Sequence, residues 1–338
     1  MSDSNRKYLI IGPSWVGDMV MAQSLFITLK KLYPGCVIDV VSPAWSLPVL
    51  QRMPEVRRGI ALPVLHGKFS FITRYRLGRS LKTGNYSHAI VLPRSWKSAL
   101  VPYFAAVPVR TGYKGEMRYG LLNDIRALNK VIITQTVQRY VALAQEHALE
   151  NPPVTPYPAL QTDRANTRRL LDVHGLNLSR PVIGIMPGAE YGPAKQWPAE
   201  YYAQLAARLI KAGYQVWAFG SAKERELGNT IFRHLTEHAH NLCGSTQLED
   251  VIDLVACTQQ VVSNDSGLMH VAAAVGVKAC VIYGSSTPAY TPPLTENATI
   301  FYKALDCSPC FDRQCRYQHY RCLKSIEPYE VIEKIVAE

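Results

Sequence analysis

Short apolar runs alternate with amphipathic stretches along most of the chain. Lys7 to Gly12 reads as a buried strand, Gly12 to Asp18 as a polar turn, and Met19 to Leu32 as a helix that Pro34-Gly35 ends. Val37 to Ser42 is the next strand, and helical and strand-like pieces alternate onward through Leu62, Phe71–Leu81, His88–Leu92 and Ser95–Ala105. The pattern lapses between Glu150 and Arg180, where Asn151-Pro152-Pro153-Val154-Thr155-Pro156-Tyr157-Pro158 forms a proline-dense connector followed by one polar helix-like segment. A second alternating set follows. Val182–Met186 is a strand, and Pro198 opens a helix at its first position, with Tyr202, Leu205, Ala206, Leu209 and Ile210 on one face. Gln215–Phe219 is a strand followed by a helix from about Lys223, and Thr246-Gln247-Leu248-Glu249 reads as a capping box. Val261–Asn264 is a strand, Asp265-Ser266 a turn, and the helix after Gly267 is closed by Gly276; Lys278–Tyr283 is the last clear strand. Such alternation predicts an α/β chain of two parallel sheets with helices on both faces, in two domains at 1–160 and 178–325. Ligands of open α/β sheets bind at the carboxyl ends of strands, so the polar turns there are the places to look for chemistry.

Composition narrows the class. The chain of 338 residues is 48% hydrophobic and 19% charged, enough for two full-sized cores. No apolar run reaches the ~18 residues of a membrane span, and Tyr8-Leu9-Ile10-Ile11 is too short for a signal segment, so the expected location is cytoplasmic. The net charge of +11 is lopsided: residues 1–150 hold 20 Lys and Arg against 8 Asp and Glu, residues 151–338 hold 17 against 18. An anionic partner for the first half is implied, whether nucleic acid, membrane surface or phosphorylated substrate.

Gly12-Pro13-Ser14-Trp15-Val16-Gly17-Asp18 has the outline of a phosphate loop, but Asp18 stands where the lysine belongs and would repel a nucleotide's phosphates. Asp18 can instead act as a helix cap or as a general base towards a substrate hydroxyl. Lys195 lies just before a helix start, where a cation gains nothing from the dipole, so a bound anion explains it better than capping does. The first N–H groups of the helix after Asp265-Ser266-Gly267 have no internal partner and can hold a diphosphate. Glu224, after the strand Gln215–Phe219, suits a ribose hydroxyl or a first-turn dipole contact.

Together Gly17-Asp18, Pro187-Gly188-Ala189 with Lys195-Gln196-Trp197-Pro198, and Asn264-Asp265-Ser266-Gly267-Leu268-Met269-His270 resemble the motifs of glycosyltransferase family 9. The resemblance implies a GT-B architecture, with two Rossmann-like domains facing across a cleft, acceptor on the first and sugar nucleotide on the second. It also implies a C-terminal helix, about 326–338, returning to the first domain. The reaction implied is inverting transfer of heptose from ADP-L-glycero-D-manno-heptose onto the first heptose of the lipopolysaccharide inner core, without a cofactor or metal in catalysis. By the same resemblance Asp18 is the catalytic base and Lys195 the residue that stabilises the leaving diphosphate. Glu190, Glu224, Asp265, Ser266, Gly267, Leu268 and His270 would bind the nucleotide sugar. The acceptor implied is a phosphorylated heptosyl–Kdo–lipid A at the inner face of the inner membrane. Arg94, Lys97, Lys114 and Arg118 are the candidate acceptor contacts. Arg52, Arg57, Arg58, Lys68, Arg74, Arg76, Arg79 and Lys82 supply further positive charge towards an anionic leaflet.

Cys307-x2-Cys310-x4-Cys315-x6-Cys322, with His319 between, could hold a structural zinc; an iron–sulfur cluster, paired disulfides and four reduced thiols are the other readings. Coming after the last clear strand, the cluster is expected to lie away from the catalytic turns. Rival functions are a sister transferase of the family with another acceptor or donor, a non-enzymatic two-domain ligand binder, and a nucleic-acid binder. The last lacks a recognised module and interleaved aromatics on its basic stretches.

Overall fold

The computed structural model describes residues 6–64, 69–145 and 149–336. The chain divides into two compact units, residues 1–159 and 160–338. In the first, six strands form one parallel sheet: β1 (Lys7–Ile11), β2 (Val37–Ser42), β3 (Val56–Ala61), β4 (His88–Val91), β5 (Val109–Tyr113) and β6 (Asp124–Arg126). Their order is β3-β2-β1-β4-β5-β6. The second unit repeats the plan with β7 (Val182–Met186), β8 (Gln215–Ala218), β9 (Ala239–Asn241), β10 (Gln260–Asn264), β11 (Lys278–Ile282) and β12 (Ala298–Phe301), in the order β12-β11-β10-β7-β8-β9. Both are the doubly wound Rossmann order, which reverses beside the first strand of each unit. The α/β expectation is thus borne out.

The central strands are apolar on both faces because helices cover both. Leu9 and Ile11 pack with Val91, Val101 and Val107 in the first unit, and Ile183, Val262 and Ile282 pack with Leu205 and Leu209 in the second. Between β2 and β3 a carboxylate is buried outright. Asp39 is 0% exposed, and it accepts from Arg57, Arg58 and the Tyr86 hydroxyl at 2.5–2.9 Å. Burial pushes its acidity down, but the hydrogen bonds from Arg57, Tyr86 and Arg58 outweigh that and hold its pKa below the ordinary carboxylate value. Two arginines expected to face a membrane are therefore engaged inside their own unit. Arg74 is likewise buried and donates to the Phe69 carbonyl at 2.9 Å; Lys68 lies outside the described residues.

Three local expectations shift. The polar segment of the connector is the helix Arg164–Val173, capped by Asp163, and it belongs to the second unit: Leu170 joins Leu254 and Val255 in that core, and Asn166 donates to Asp250 and Asp253. Pro198 is the cap of the helix Ala199–Lys211, not its first residue. The capping box before Leu248–Val255 is built by Gln247 and Asp250, one position later than Thr246 and Glu249. The last helix, Pro328–Val336, lays Val331 and Ile335 into the core that also holds Leu205, Leu209 and Ile326. Its buried face is thus occupied within the second unit, where the family resemblance implies a return to the first.

Candidate active site

The residues singled out by chemistry gather at the two points where strand order reverses. In the first unit β1 runs into the helix Val16–Leu32, whose cap position is Trp15, without a side-chain cap. Asp18 is therefore the third helical residue and half-buried, not a cap; a carboxylate in a first turn is favoured by the helix dipole. β4, beside β1, leads into Pro93–Lys97. There Arg94 is exposed and donates to the Lys114 carbonyl at 3.1 Å, and the Glu116 carboxylate accepts from the Trp96 amide at 3.0 Å. Lys114 is exposed and Lys97 half-buried. Arg118 differs from the expectation for an acceptor contact. It is 1% exposed and donates to the Pro93 and Tyr113 carbonyls, so it ties together the segments that present Arg94 and Lys114. Burial, then Arg94, lower its pKa.

In the second unit β7 leads into the loop that ends at Lys195, and β10, its neighbour, into Asp265. Asp265 is 4% exposed, and its carboxylate binds the Lys195 ammonium at 2.5 Å, the Ser286 hydroxyl at 2.5 Å and the Thr291 hydroxyl at 3.4 Å. The Tyr191 ring lies 5.1 Å from the same ammonium. An ammonium has three donors, so Lys195 stays fixed by Asp265 with donors left for an anion. Asp265, buried, thereby orients the lysine. The helix Gly267–Ala274 starts at Ser266, whose side chain makes no cap bond to it, so its first N–H groups face outward uncapped by a side chain. Leu268 sits half-buried in that turn. Gly276 closes the helix at φ +80°, the left-handed position that glycine fills without strain. His270 is 4% exposed, and its Nδ1 has no hydrogen-bond partner among the described residues. Burial lowers its pKa from 6.5 to about 4, with Asp265 opposing and Lys195 adding to the shift. It is a neutral imidazole at pH 7.

Two carboxylates already have partners, and Glu224 stands against Gly188 in the loop after β7. Glu224 accepts from the amide and hydroxyl of Ser221 at 2.7 and 2.5 Å, closing a capping box. Glu190 pairs with Lys223 at 2.6 Å on the surface. Sequence reading quoted Asn264 without a role and missed Ser286 and Thr291. Asn264, 0% exposed, donates to the Pro187 carbonyl at 2.8 Å and accepts from the Trp197 amide at 3.0 Å, locking the end of β10 to both ends of the Lys195 loop. The run Gly284-Ser285-Ser286-Thr287 at the carboxyl end of β11 was the available signal for Ser286; Thr291 lies beyond it. Among the described residues no three His, Cys, Asp or Glu side chains form a ready-made metal site.

The sequence profile of glycosyltransferase family 9 (heptosyltransferase) matches residues 74–321. Lipopolysaccharide heptosyltransferase 2 of Salmonella typhimurium is 46% identical over 338 residues, covering 97% of each chain. Lipopolysaccharide heptosyltransferase 1 of Pseudomonas aeruginosa is 30% identical, covering 92% of this chain and 88% of that relative. The solved structure of Escherichia coli ADP-heptose LPS heptosyltransferase II matches with a TM-score of 0.88 and 44% identity, over 98% of both chains. Both units are thus Rossmann-like halves of the GT-B kind. With a family profile spanning most of the sequence and a relative this similar from end to end, the chain belongs to glycosyltransferase family 9, the heptosyltransferases.

Proposed function

We propose that this enzyme transfers heptose from ADP-L-glycero-D-manno-heptose onto the first heptose of the lipopolysaccharide inner core. The observation that carries the reading is the fixed Lys195–Asp265 pair beside the open start of the helix Gly267–Ala274, a cradle for a departing diphosphate. The identity of 46% to a heptosyltransferase 2, against 30% to a heptosyltransferase 1, favours the second heptose over the first.

Asp18 takes the proton from the acceptor hydroxyl as that oxygen attacks the anomeric carbon of heptose. The bond from that carbon to the β-phosphate oxygen breaks, the configuration inverts, and ADP leaves with the bonding pair. Lys195 and the amide groups at Gly267 and Leu268 stabilise the charge that develops on it. His270, uncharged, offers a hydrogen bond and no net charge. Arg94, Lys97 and Lys114 are set to meet acceptor phosphates, with Arg118 holding their segments in place.

The first unit also suits an anionic membrane surface. Phe69, Phe71, Ile72, Tyr75, Trp96 and Tyr103 are all exposed, and Phe69 lies 4.9 Å from Trp96 and 6.0 Å from Phe71, ring to ring. Arg76 and Arg79, on the same helix as Phe71, are exposed beside them. Aromatics at headgroup depth with a cationic rim make an interfacial anchor, worth about 1 kcal/mol per cation near anionic lipid. Among the described residues no helix is long and apolar enough to cross a membrane.

The deciding assay offers ADP-heptose with two acceptors, Kdo2–lipid A and its monoheptosylated form. Transfer to the monoheptosylated acceptor alone is expected; transfer only to Kdo2–lipid A would reassign the enzyme to the first heptose. Flotation with phosphatidylglycerol vesicles, but not phosphatidylcholine vesicles, is expected of the wild type and not of Phe71→Ser/Ile72→Ser.

A further inference from the structure

The four cysteines that the reaction leaves unused lie against the loop that carries Lys195. Cys307, Cys310, Cys315 and Cys322 are free thiols, and together with His319 and Ala194 they line one cavity of about 20 Å³. That volume admits a single atom-sized occupant and no organic ligand. Two turns present the sulfurs in the manner of metal knuckles. Phe311, directly after Cys310, has φ +56°, and Gln318, three residues after Cys315, has φ +58°. The Gln318 amide donates to the Cys315 carbonyl at 3.0 Å, closing the second turn. His319 Nδ1 is taken by the Arg321 amide at 3.0 Å and stands 3.9 Å from Cys315 Sγ. The ligand set is therefore the four sulfurs, with the imidazole as their neighbour.

The same turns are stitched to the candidate active site. The Ala194 amide donates to the Arg313 carbonyl at 3.1 Å, and the Tyr191 hydroxyl donates to the Phe311 carbonyl at 2.5 Å. The Phe311 amide donates to the Ser285 carbonyl at 2.7 Å, and the Ser285 amide to the Ala194 carbonyl at 3.1 Å. Gly192 lets the two segments meet: at φ +149°, a Cβ there would stand 2.5 Å from the Arg313 carbonyl oxygen. Residues 311–313, between the second and third cysteines, thus form the floor of the turn that ends in Lys195. The expectation that the cysteines lie away from the catalytic turns is overturned by these contacts, because the chain folds back after β12 onto the carboxyl end of β11.

We infer that Cys307, Cys310, Cys315 and Cys322 bind one thiophilic divalent cation, zinc or ferrous iron, and that the bound ion braces the Lys195 loop through residues 311–313. Tetrahedral coordination by four thiolates at ~2.3 Å draws the sulfurs in around the cavity and fixes both turns. The inference does not depend on which acceptor the enzyme uses.

Element analysis of the full chain purified under reductant tests it, alongside reconstitution of chelator-treated protein with Zn²⁺, Fe²⁺ or Co²⁺. About one ion per chain is expected, its element separating zinc from iron, with a thiolate-to-cobalt charge-transfer band on Co²⁺ addition. Cys307→Ser/Cys310→Ser should lose both signals. Metal removal should raise amide exchange of residues 189–197 about tenfold while leaving β7 unchanged. Should the double variant fail to fold, chelator treatment of the wild type gives the same readouts. Wild-type protein that takes up less than ~0.1 ion per chain after reconstitution, or cysteines trapped as disulfides in the cell, would overturn the site. Unchanged exchange of residues 189–197 on metal removal would overturn the brace.

Discussion

In the first unit strand order reverses beside a half-buried Asp18 and an exposed Arg94; in the second it reverses around Asp265, 4% exposed and holding three partners. The frame is the same, six parallel strands in one order, and the chemistry at its edge is opposite. In the first unit an acid stands half-buried in a first helical turn, and the cations Arg94 and Lys114, after β4 and β5, stand exposed. In the second unit Asp265 has fixed the lysine in advance within a buried network. A preorganised cation in a low-dielectric site stabilises a transition state more than a mobile one in water does. Topology therefore sets the place of the site, and the residues after each strand set its task.

The largest expected effect breaks the first half of the comparison. Asp18→Asn should lower kcat by ~10²–10⁴-fold while the acceptor KM changes little, because the lost group acts on a proton in flight. Steady-state kinetics with saturating ADP-heptose checks this.

The second half breaks at Asp265. Asp265→Ala leaves the Lys195 ammonium, 17% exposed, without its carboxylate, at an expected cost of ~3–5 kcal/mol in urea denaturation. Lys195→Ala in the same background should restore part of that loss, since the strain is an unpaired charge.

His270 sharpens the contrast through pH. Its folded pKa of about 4 lies below the ordinary 6.5, so the unfolded chain binds the proton more readily. The stability it contributes is complete above pH 6.5 and is lost as pH falls through the window down to 4. Denaturation at a series of pH values should show His270→Gln losing ~3 kcal/mol less than wild type across that window.

The smallest effect falls on the open side. Lys114→Ala removes one exposed cation, and the acceptor KM should rise by no more than about fivefold, with the difference fading at high salt.

The doubly wound plan was legible because buried parallel strands read as unbroken apolar runs: Tyr8–Ile11 and Val261–Val262 announce themselves. Asp18, Lys195 and Asp265 were legible for a related reason, each following such a run at a turn. Other assignments were not. The partners of Glu224 and Glu190, Ser221 and Lys223, came into view only in the fold. Arg57 and Arg58 read as a basic surface, yet Asp39, eighteen and nineteen residues earlier in sequence, lies beneath them. Arg118 counts as a surface charge in any tally of composition and is buried. In each case the deciding contact is tertiary, and local pattern carries no trace of it. The cysteine turns are the clearest example. Their spacing stands out in the sequence, but only the return of the chain onto Ala194 and Ser285 links them to the lysine loop.

If the second unit holds ADP and the first activates the acceptor, substitutions in the two units separate the roles. Titration calorimetry of ADP into Asp18→Asn and Lys195→Ala, run beside the wild type, addresses this most directly. Asp18→Asn should bind ADP as the wild type does, and Lys195→Ala should bind it at least about tenfold more weakly. Loss of ADP binding in Asp18→Asn, with full binding in Lys195→Ala, would contradict it.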